Sequence, residues 1–119
     1  MTYEQRTGAI RYDNGKLIGI GYSGHGLGKN NPLMQDVKNV GPIPRGRYKK
    51  GKVYDSEHTG PFTILLIPDL KNEMFGRSDF KMHGDSIENP GTASLGCIVA
   101  ERETREEVYN STEQYINVI

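Results

Sequence analysis

The chain contains one cysteine, Cys97, at the end of the sequence Ser94-Leu95-Gly96-Cys97, and the dipeptide His83-Gly84 precedes it by a short loop. A thiol and an imidazole spaced in this way are a candidate nucleophile and general base. Gly84 and Gly96 lack side chains, so the backbone there can approach a substrate closely, and the Gly96 and Cys97 N–H groups are candidates to bind an oxyanion. The alternative is that Cys97 is a small buried hydrophobe and His83 a histidine at a strand end.

The sequence around this pair resembles the active-site signature of L,D-transpeptidases. In that signature a histidine-glycine at a strand end is followed by a variable loop, a serine or threonine, one residue, and glycine-cysteine; residues 77–85 and 91–98 fit it. Upstream, residues 21–26, 30–32 and 41–48 are similar to one branch of that family. This branch comprises the small L,D-transpeptidase-like effectors of type VI secretion and related phage proteins. The resemblance covers nearly the whole chain.

The resemblance implies a fold and an activity. The fold is mainly β, a single antiparallel β domain of the L,D-transpeptidase type over residues 1–119, with one short C-terminal helix. The activity is that of a peptidoglycan-modifying cysteine enzyme, which works on stem tetrapeptides through a Cys97 thioester with His83 as base and with Gly96 and Ser94 in the catalytic turn. Cleavage, D-amino-acid exchange and transpeptidation share that thioester. No cofactor is implied.

Substrate contacts are also implied by the resemblance, and they involve Arg77, Gly84, Asp85, Tyr22, Ser23 and Leu95. An arginine suits a stem-peptide carboxylate because guanidinium binds carboxylate in bidentate fashion, although a solvated charge before a strand is an equal alternative. Two positions depart from the wider family. Leu95 occupies the place of a second histidine, and Val99 the place of an arginine.

The group that orients the histidine is left open by the sequence. In the resembling enzymes it is usually a backbone carbonyl near the Ser-x-Gly-Cys turn. Asp85 lies close in sequence and is the acidic alternative, although a solvated loop aspartate is the more common situation. Ser94 is equally suited to a structural role in the turn.

Composition limits the partners. The 15 basic residues balance the 15 acidic ones, which gives no electrostatic case for nucleic acid or an anionic membrane. No apolar run approaches the ~20 residues needed to span a bilayer, and the N-terminus lacks the apolar region of a signal peptide. An enzyme of peptidoglycan acts in the periplasm or cell wall, so the sequence predicts delivery by a secretion system, phage lysis or an upstream region. A cognate immunity protein and the secretion machinery are the expected partners besides the stem peptides.

Two other classes of function stay open. Cys97 and the three histidines could be zinc ligands, but no pair has metal-ligand spacing. The chain could also be a non-catalytic cell-wall-binding module or a phage structural protein that keeps the fold, because fold alone does not establish activity.

The local patterns predict strands that would position the site. Residues 9–12 and 16–20 flank Asp13-Asn14-Gly15, which is typical of a β-hairpin. Strands are also predicted at 46–54, at 80–83, at 115–119 and at 62–67, where the apolar run favours burial on both faces. A helix is predicted from Thr104, with capping-box spacing to Glu107, or from a turn earlier near Glu101. The glycine-rich residues 19–28 are expected to form a loop at the rim of the cleft.

Overall fold

Nine strands form a single sheet in the computed structural model of the chain, which describes residues 1–119. In chain order the strands are β1 (Thr2–Tyr3), β2 (Ala9–Arg11), β3 (Leu17–Ile20), β4 (Tyr22–Ser23), β5 (Gly46–Ser56), β6 (Gly60–Pro68), β7 (Lys81–His83), β8 (Ile98–Val99) and β9 (Tyr115–Val118). One α-helix, α1 (Arg102–Asn110), lies between β8 and β9. The mainly β fold with one short helix near the C-terminus is therefore confirmed. No helix is both long and apolar enough to cross a membrane.

The strands are arranged in the order β3-β2-β1-β9-β5-β6-β7-β8-β4. Most neighbouring pairs are antiparallel, as predicted. Two pairs, β1 with β9 and β7 with β8, are parallel. Parallel neighbours need a crossover connection, and the β7–β8 crossover is the loop that leads from the histidine to the cysteine.

The two edge strands of the sheet, β3 and β4, are joined by Gly21 alone. The sheet must therefore curl until its edges meet. The Gly21 N–H donates to the Gly8 carbonyl at 2.9 Å and so extends the β2–β3 pairing by one residue before the chain passes to β4. Helix α1 contacts both β3 and β6, which are far apart in the strand order. At β3 this approach requires Gly19, because a Cβ there would lie 2.4 Å from the Thr104 hydroxyl oxygen.

The longer strands lie where the sequence predicts them, and the residues 9–12 and 16–20 segments form the β2–β3 hairpin. One expectation is wrong: β6 is not buried on both faces. Ile64 and Leu66 are buried, but the intervening Leu65 is only half-buried and Ile67 is 45% exposed. The strand is central in order, but the sheet curls around one core and leaves its outer face open to solvent.

The core lies on the inner face of the curled sheet. Each of five strands contributes a fully buried side chain, namely Tyr3, Tyr48, Ile64, Met82 and Ile116. Burial of such side chains contributes roughly 1.5–3 kcal/mol each for the aliphatic ones. This core fixes β7 beside β6, and so fixes the position of the histidine at the end of β7.

Helix α1 begins one turn before the predicted capping box. Glu101 is its N-cap residue, without a side-chain cap, and Thr104 lies inside the first turn. The Glu107 carboxylate does not cap the helix but accepts a hydrogen bond from the Tyr12 hydroxyl at 2.9 Å. The capping-box prediction is thus wrong, and the earlier start near Glu101 is right.

Candidate active site

His83 and Cys97 are brought together by two parallel strands. His83 is the last residue of β7, and Cys97 immediately precedes β8, which pairs with β7 in the register Met82–Ile98 and His83–Val99. The Ala100 N–H donates to the His83 carbonyl at 3.0 Å and extends this pairing. Both side chains line one cavity of about 450 Å³. The pairing of β7 with β8 therefore brings His83 and Cys97, which are separated in sequence, into the same cleft.

The imidazole of His83 is oriented by a backbone carbonyl. His83 is 4% exposed, and its Nδ1 lies 2.8 Å from the Gly84 carbonyl oxygen. Because a carbonyl only accepts hydrogen bonds, Nδ1 carries the proton, and Nε2 of the neutral ring keeps its lone pair. Burial lowers the pKa of His83, since a buried imidazolium loses its hydration. Asp85 is not the orienting group, because its carboxylate accepts hydrogen bonds from the Tyr22 hydroxyl and from N–H groups of the following loop.

The thiol of Cys97 is protonated in the resting site. Its Sγ donates to the Asp79 carbonyl oxygen at 3.6 Å rather than to His83. Burial raises the pKa of the Cys97 thiol, against smaller opposing effects from the Lys81 N–H and from the Lys81 and Arg77 charges. A raised thiol pKa and a lowered histidine pKa together give a neutral pair at pH 7. Both shifts favour this neutral pair over the thiolate–imidazolium pair.

This neutral pair predicts how fast the free thiol reacts with iodoacetamide. Only the thiolate is alkylated, and a raised pKa keeps the thiolate fraction below that of an ordinary cysteine, whose pKa is near ~8.5. We expect the rate to rise about tenfold per pH unit from pH 6 to 8 and to be still rising at pH 9. Free cysteine measured under the same conditions is the reference. A rate that is already at its plateau at pH 6 would mean that the resting site is an ion pair.

Ser94 holds the turn that carries the cysteine. Its buried hydroxyl donates to the Cys97 carbonyl at 2.6 Å and accepts from the Gly24 and Gly96 N–H groups at 2.9 and 3.0 Å. The Gly96 N–H is therefore occupied, which corrects the expectation that it is free to bind an oxyanion. The Cys97 N–H has no partner within the protein and stays available for that role. Gly96 has φ 141°, a left-handed conformation that favours glycine.

Ser23 also stabilises the turn that carries Cys97, and its side chain does not face the cavity. It is fully buried, and its hydroxyl donates to the Gly96 carbonyl at 2.9 Å while it accepts from the Ile43 N–H at 2.8 Å. A fully buried side chain with both hydrogen bonds made inside the protein is not accessible to a substrate. The structure places the Ser23 side chain inside the protein, bonded to the turn, and its predicted substrate contact stays a prediction.

Arg77 lines the cavity, but its guanidinium is committed to the backbone. The side chain is buried, and its two terminal nitrogens donate to the carbonyls of Gln35, Gly41, Pro42 and Leu95 at 2.6, 3.0, 2.7 and 3.4 Å. It therefore joins the 35–42 segment to the cysteine turn. Both terminal nitrogens that a bidentate grip on a substrate carboxylate would use are bonded to carbonyls here, and the predicted substrate contact of Arg77 stays a prediction.

Replacing Arg77 with methionine should destabilise the fold. The substitution leaves four carbonyls without their donor, and unsatisfied buried polar groups cost about 1–3 kcal/mol each before relaxation or water offsets them. We expect the free energy of unfolding to fall by roughly 3 kcal/mol in urea denaturation. The control is Arg45→Met, at an exposed arginine, which should change it by less than about 0.5 kcal/mol. Equal stability of the two variants would show that the Arg77 bonds contribute nothing net.

Tyr22 and Asp85 fix the loop between the histidine and the cysteine. The Tyr22 hydroxyl donates to the Asp85 carboxylate at 2.6 Å and accepts from the Ala93 N–H at 3.0 Å. The same carboxylate accepts from the Ser86 and Gly91 N–H groups. Burial, together with the bond to Asp85, raises the pKa of Tyr22 to about 12. Tyr22 does not line the cavity of Cys97, and its predicted substrate contact stays a prediction.

The other predicted contacts divide between two cavities. Leu95 is 59% exposed and lines the cavity of Cys97. Gly84 and Asp85 line an adjoining cavity of about 920 Å³, which shares His83 with the first. A Cβ at Gly84 would lie 3.1 Å from the Arg105 guanidinium, so the glycine lets α1 approach the end of β7.

Several residues of the cavity were not predicted from the sequence. They are Lys38 and Asn39 in the segment before β5, His58 and Thr59 in the β5–β6 turn, and Ser78, Asp79, Phe80 and Ala93. Asn39 and Asp79 have φ 62° and 65°, and backbone strain in non-glycine residues clusters at functional sites. The sequence offers no signal for these conformations, since asparagine and aspartate adopt them only in particular turns.

The glycine-rich segment does not rim this cleft. It packs beneath the 38–40 segment: the His25 N–H donates to the Val40 carbonyl at 2.8 Å, and a Cβ at Gly28 would lie 2.1 Å from the same oxygen. The glycine-rich segment supports the cavity wall and does not face the cavity.

No three His, Cys, Asp or Glu side chains come together in a way that could hold a metal ion.

The fold and the site define a small curled β domain with a cysteine and a histidine in one cleft. The sequence matches the Tlde1 domain family over residues 19–118, and the chain therefore belongs to that family. The branch to which the sequence motifs point is confirmed, and the family is a type VI effector-like one. No curated protein and no solved structure matches the chain.

Proposed function

We propose that this protein is a peptidoglycan-modifying cysteine enzyme, which cleaves or exchanges the terminal D-alanine of stem tetrapeptides through a Cys97 thioester. The observation that carries the proposal is the orientation of His83. Its Nδ1 is bonded to the Gly84 carbonyl, which leaves Nε2 as a base in the cavity that Cys97 lines. A histidine packed only for structure would not need its second nitrogen free in the cleft that holds the one thiol.

The first half-reaction forms the thioester. As Cys97 Sγ attacks the carbonyl carbon of the third stem residue, its proton passes to Nε2 of His83, and the charge on the carbonyl oxygen is held by the Cys97 N–H. The carbon–nitrogen bond to D-alanine then breaks, and the departing amine takes the proton from Nε2. Because the resting pair is neutral, His83 acts as a general base during the attack rather than as the partner of a preformed thiolate.

The second half-reaction depends on the acceptor. Water attacks the thioester to give a tripeptide, a free D-amino acid gives an exchanged tetrapeptide, and the side-chain amine of a second stem gives a 3–3 cross-link. In each case His83 takes a proton from the acceptor, and the thiol of Cys97 is regenerated. All these products consume tetrapeptide donors.

The proposed place of action is the periplasmic face of a recipient cell wall. An effector-like family fits delivery by a secretion system and a cognate immunity protein in the producing cell. Depletion of tetrapeptide donors that other enzymes need is the route from this chemistry to toxicity.

The direct test is release of D-alanine from purified tetrapeptide muropeptides. We expect release at neutral pH that a chelator does not inhibit, since no cluster of metal ligands is present. Absence of release, with the muropeptides still bound, would favour a non-catalytic wall-binding module. Loss of release with chelator would favour a metal enzyme.

The balance of products should favour cleavage and exchange over cross-linking. The position before Gly96 is Leu95, an exposed apolar side chain that cannot orient an acceptor amine by hydrogen bonding. A poorly oriented amine on a large acceptor loses the advantage of proximity, whereas water is abundant and a free D-amino acid is small. We expect tripeptides and exchanged tetrapeptides to exceed 3–3 dimers when treated peptidoglycan is digested and separated by chromatography. A mixture dominated by 3–3 dimers would contradict this expectation.

A further inference from the structure

The cavity of Cys97 contains one cationic side chain without a hydrogen-bond partner, Lys38, because the guanidinium of Arg77 is bonded to backbone carbonyls. Its lining contains two permanent cations, Lys38 and Arg77, and one carboxylate, Asp79. Lys38 is exposed and forms no hydrogen bond or salt bridge with the protein. His58 is the other basic side chain of the lining. Lys81 lies near Cys97 but is not part of this lining.

The backbone that presents Lys38 is held firmly. Arg77 bonds the carbonyls of Gln35, Gly41 and Pro42 on both sides of it and also bonds the Leu95 carbonyl of the cysteine turn. The Gly41 N–H donates to the Val37 carbonyl at 2.9 Å, which closes the 37–41 segment on itself. Lys38 is therefore carried on a segment tied directly to the turn of the nucleophile.

We propose that Lys38 binds the terminal carboxylate of the stem peptide, and that this contact makes the site specific for chains that end one residue after the scissile bond. The proposal rests on the proposed function. In a tetrapeptide the D-alanine carboxylate lies one residue, about 3.5 Å of extended chain, beyond the carbonyl that Cys97 attacks. A lysine in the same cavity can reach it. In a pentapeptide that position is a neutral amide, and the carboxylate lies a further residue away.

The charges of the two cavities favour this direction of binding. The adjoining cavity beyond His83 is lined by three carboxylates, those of Glu57, Asp85 and Glu88, against one arginine, Arg105. The arginine is itself bonded to the carbonyls of neighbouring strands. A peptide carboxylate is therefore repelled from the adjoining cavity and attracted to the cavity of Lys38.

The experiment measures equilibrium binding to the Cys97→Ala protein, so that no chemistry consumes the ligand. The ligands are a stem tetrapeptide and the same tetrapeptide with its terminal carboxylate converted to an amide. We expect the tetrapeptide to bind about tenfold more tightly than the amide, as a charge-assisted hydrogen bond allows. Adding Lys38→Met should reduce tetrapeptide binding to the level of the amide and leave amide binding unchanged.

Two further variants control this comparison. Lys38→Arg should preserve the discrimination, because it keeps a cation on the same segment. Lys71→Met, at an exposed lysine outside the cavity, should change nothing. The proposal is overturned if the Lys38→Met protein still prefers the tetrapeptide tenfold, or if neither ligand binds. Release of D-alanine by the unmodified protein would then reject only the role of Lys38. Absence of release would reject the proposed function as well.

Discussion

Cys97→Ala should abolish release of D-alanine from tetrapeptide stems, with a loss of at least about a thousandfold. Without the thiol no thioester forms, and the oriented histidine and the Cys97 N–H stabilise only an uncatalysed attack by water. The fold should be unchanged, because Ser94 bonds the backbone carbonyl of residue 97 and alanine keeps that carbonyl. The measurement is the rate of D-alanine release beside a thermal unfolding curve of each protein.

Cys97→Ser is the matched control for this substitution. Serine keeps the size and the hydrogen-bonding capacity of the side chain but is a much poorer nucleophile beside a neutral histidine. It should retain the fold and lose nearly as much activity as alanine. Activity of the alanine variant within about tenfold of the unmodified protein would place the chemistry elsewhere.

His83→Gln should reduce the same rate by roughly 10²–10⁴-fold, the range that a positioned general base contributes. Glutamine can still bond to the backbone but cannot take the thiol proton. The matched control is Asp85→Asn, since Asp85 is the acidic alternative for the group that orients the histidine. It should cost less than about tenfold, because the Gly84 carbonyl performs that role and the asparagine oxygen still accepts from the loop N–H groups.

The comparison of these two variants decides the make-up of the triad. If Asp85→Asn lost as much activity as His83→Gln, the carboxylate and not the carbonyl would orient the imidazole. Thermal unfolding of both proteins separates a loss of activity from a loss of structure.

Much of the fold could be predicted because its longer strands have strong local patterns. The Asn-Gly turn between β2 and β3 and the apolar run of β6 specify strands without reference to the rest of the chain. The two-residue strands β1, β4 and β8 carry no such pattern, and they are defined only by their pairing with neighbouring strands. Burial on both faces of β6 was wrongly expected, because an apolar run does not reveal that the sheet curls around one core.

The pairing of Cys97 with His83 could be anticipated from residue type and spacing, but the partners of the surrounding polar groups could not. Arg77 and Ser23 have the chemistry to bind a substrate, and both instead bond to the backbone of distant segments. Those partners are carbonyls, which every residue has, so no residue type marks them in the sequence. Lys38 was missed for the same reason, since the bonds of Arg77 that join its segment to the cysteine turn are made to carbonyls.

A thioester between Cys97 and a stem peptide is detected most directly by intact-protein mass spectrometry. The protein is mixed with a stem tetrapeptide, quenched in acid within seconds and weighed, then digested to locate the modification. We expect an added mass equal to the tetrapeptide minus D-alanine on the peptide that contains Cys97. Hydroxylamine should remove it, and the Cys97→Ala protein should lack it. D-alanine release with no such adduct at any quench time, or an adduct on another residue, would contradict it.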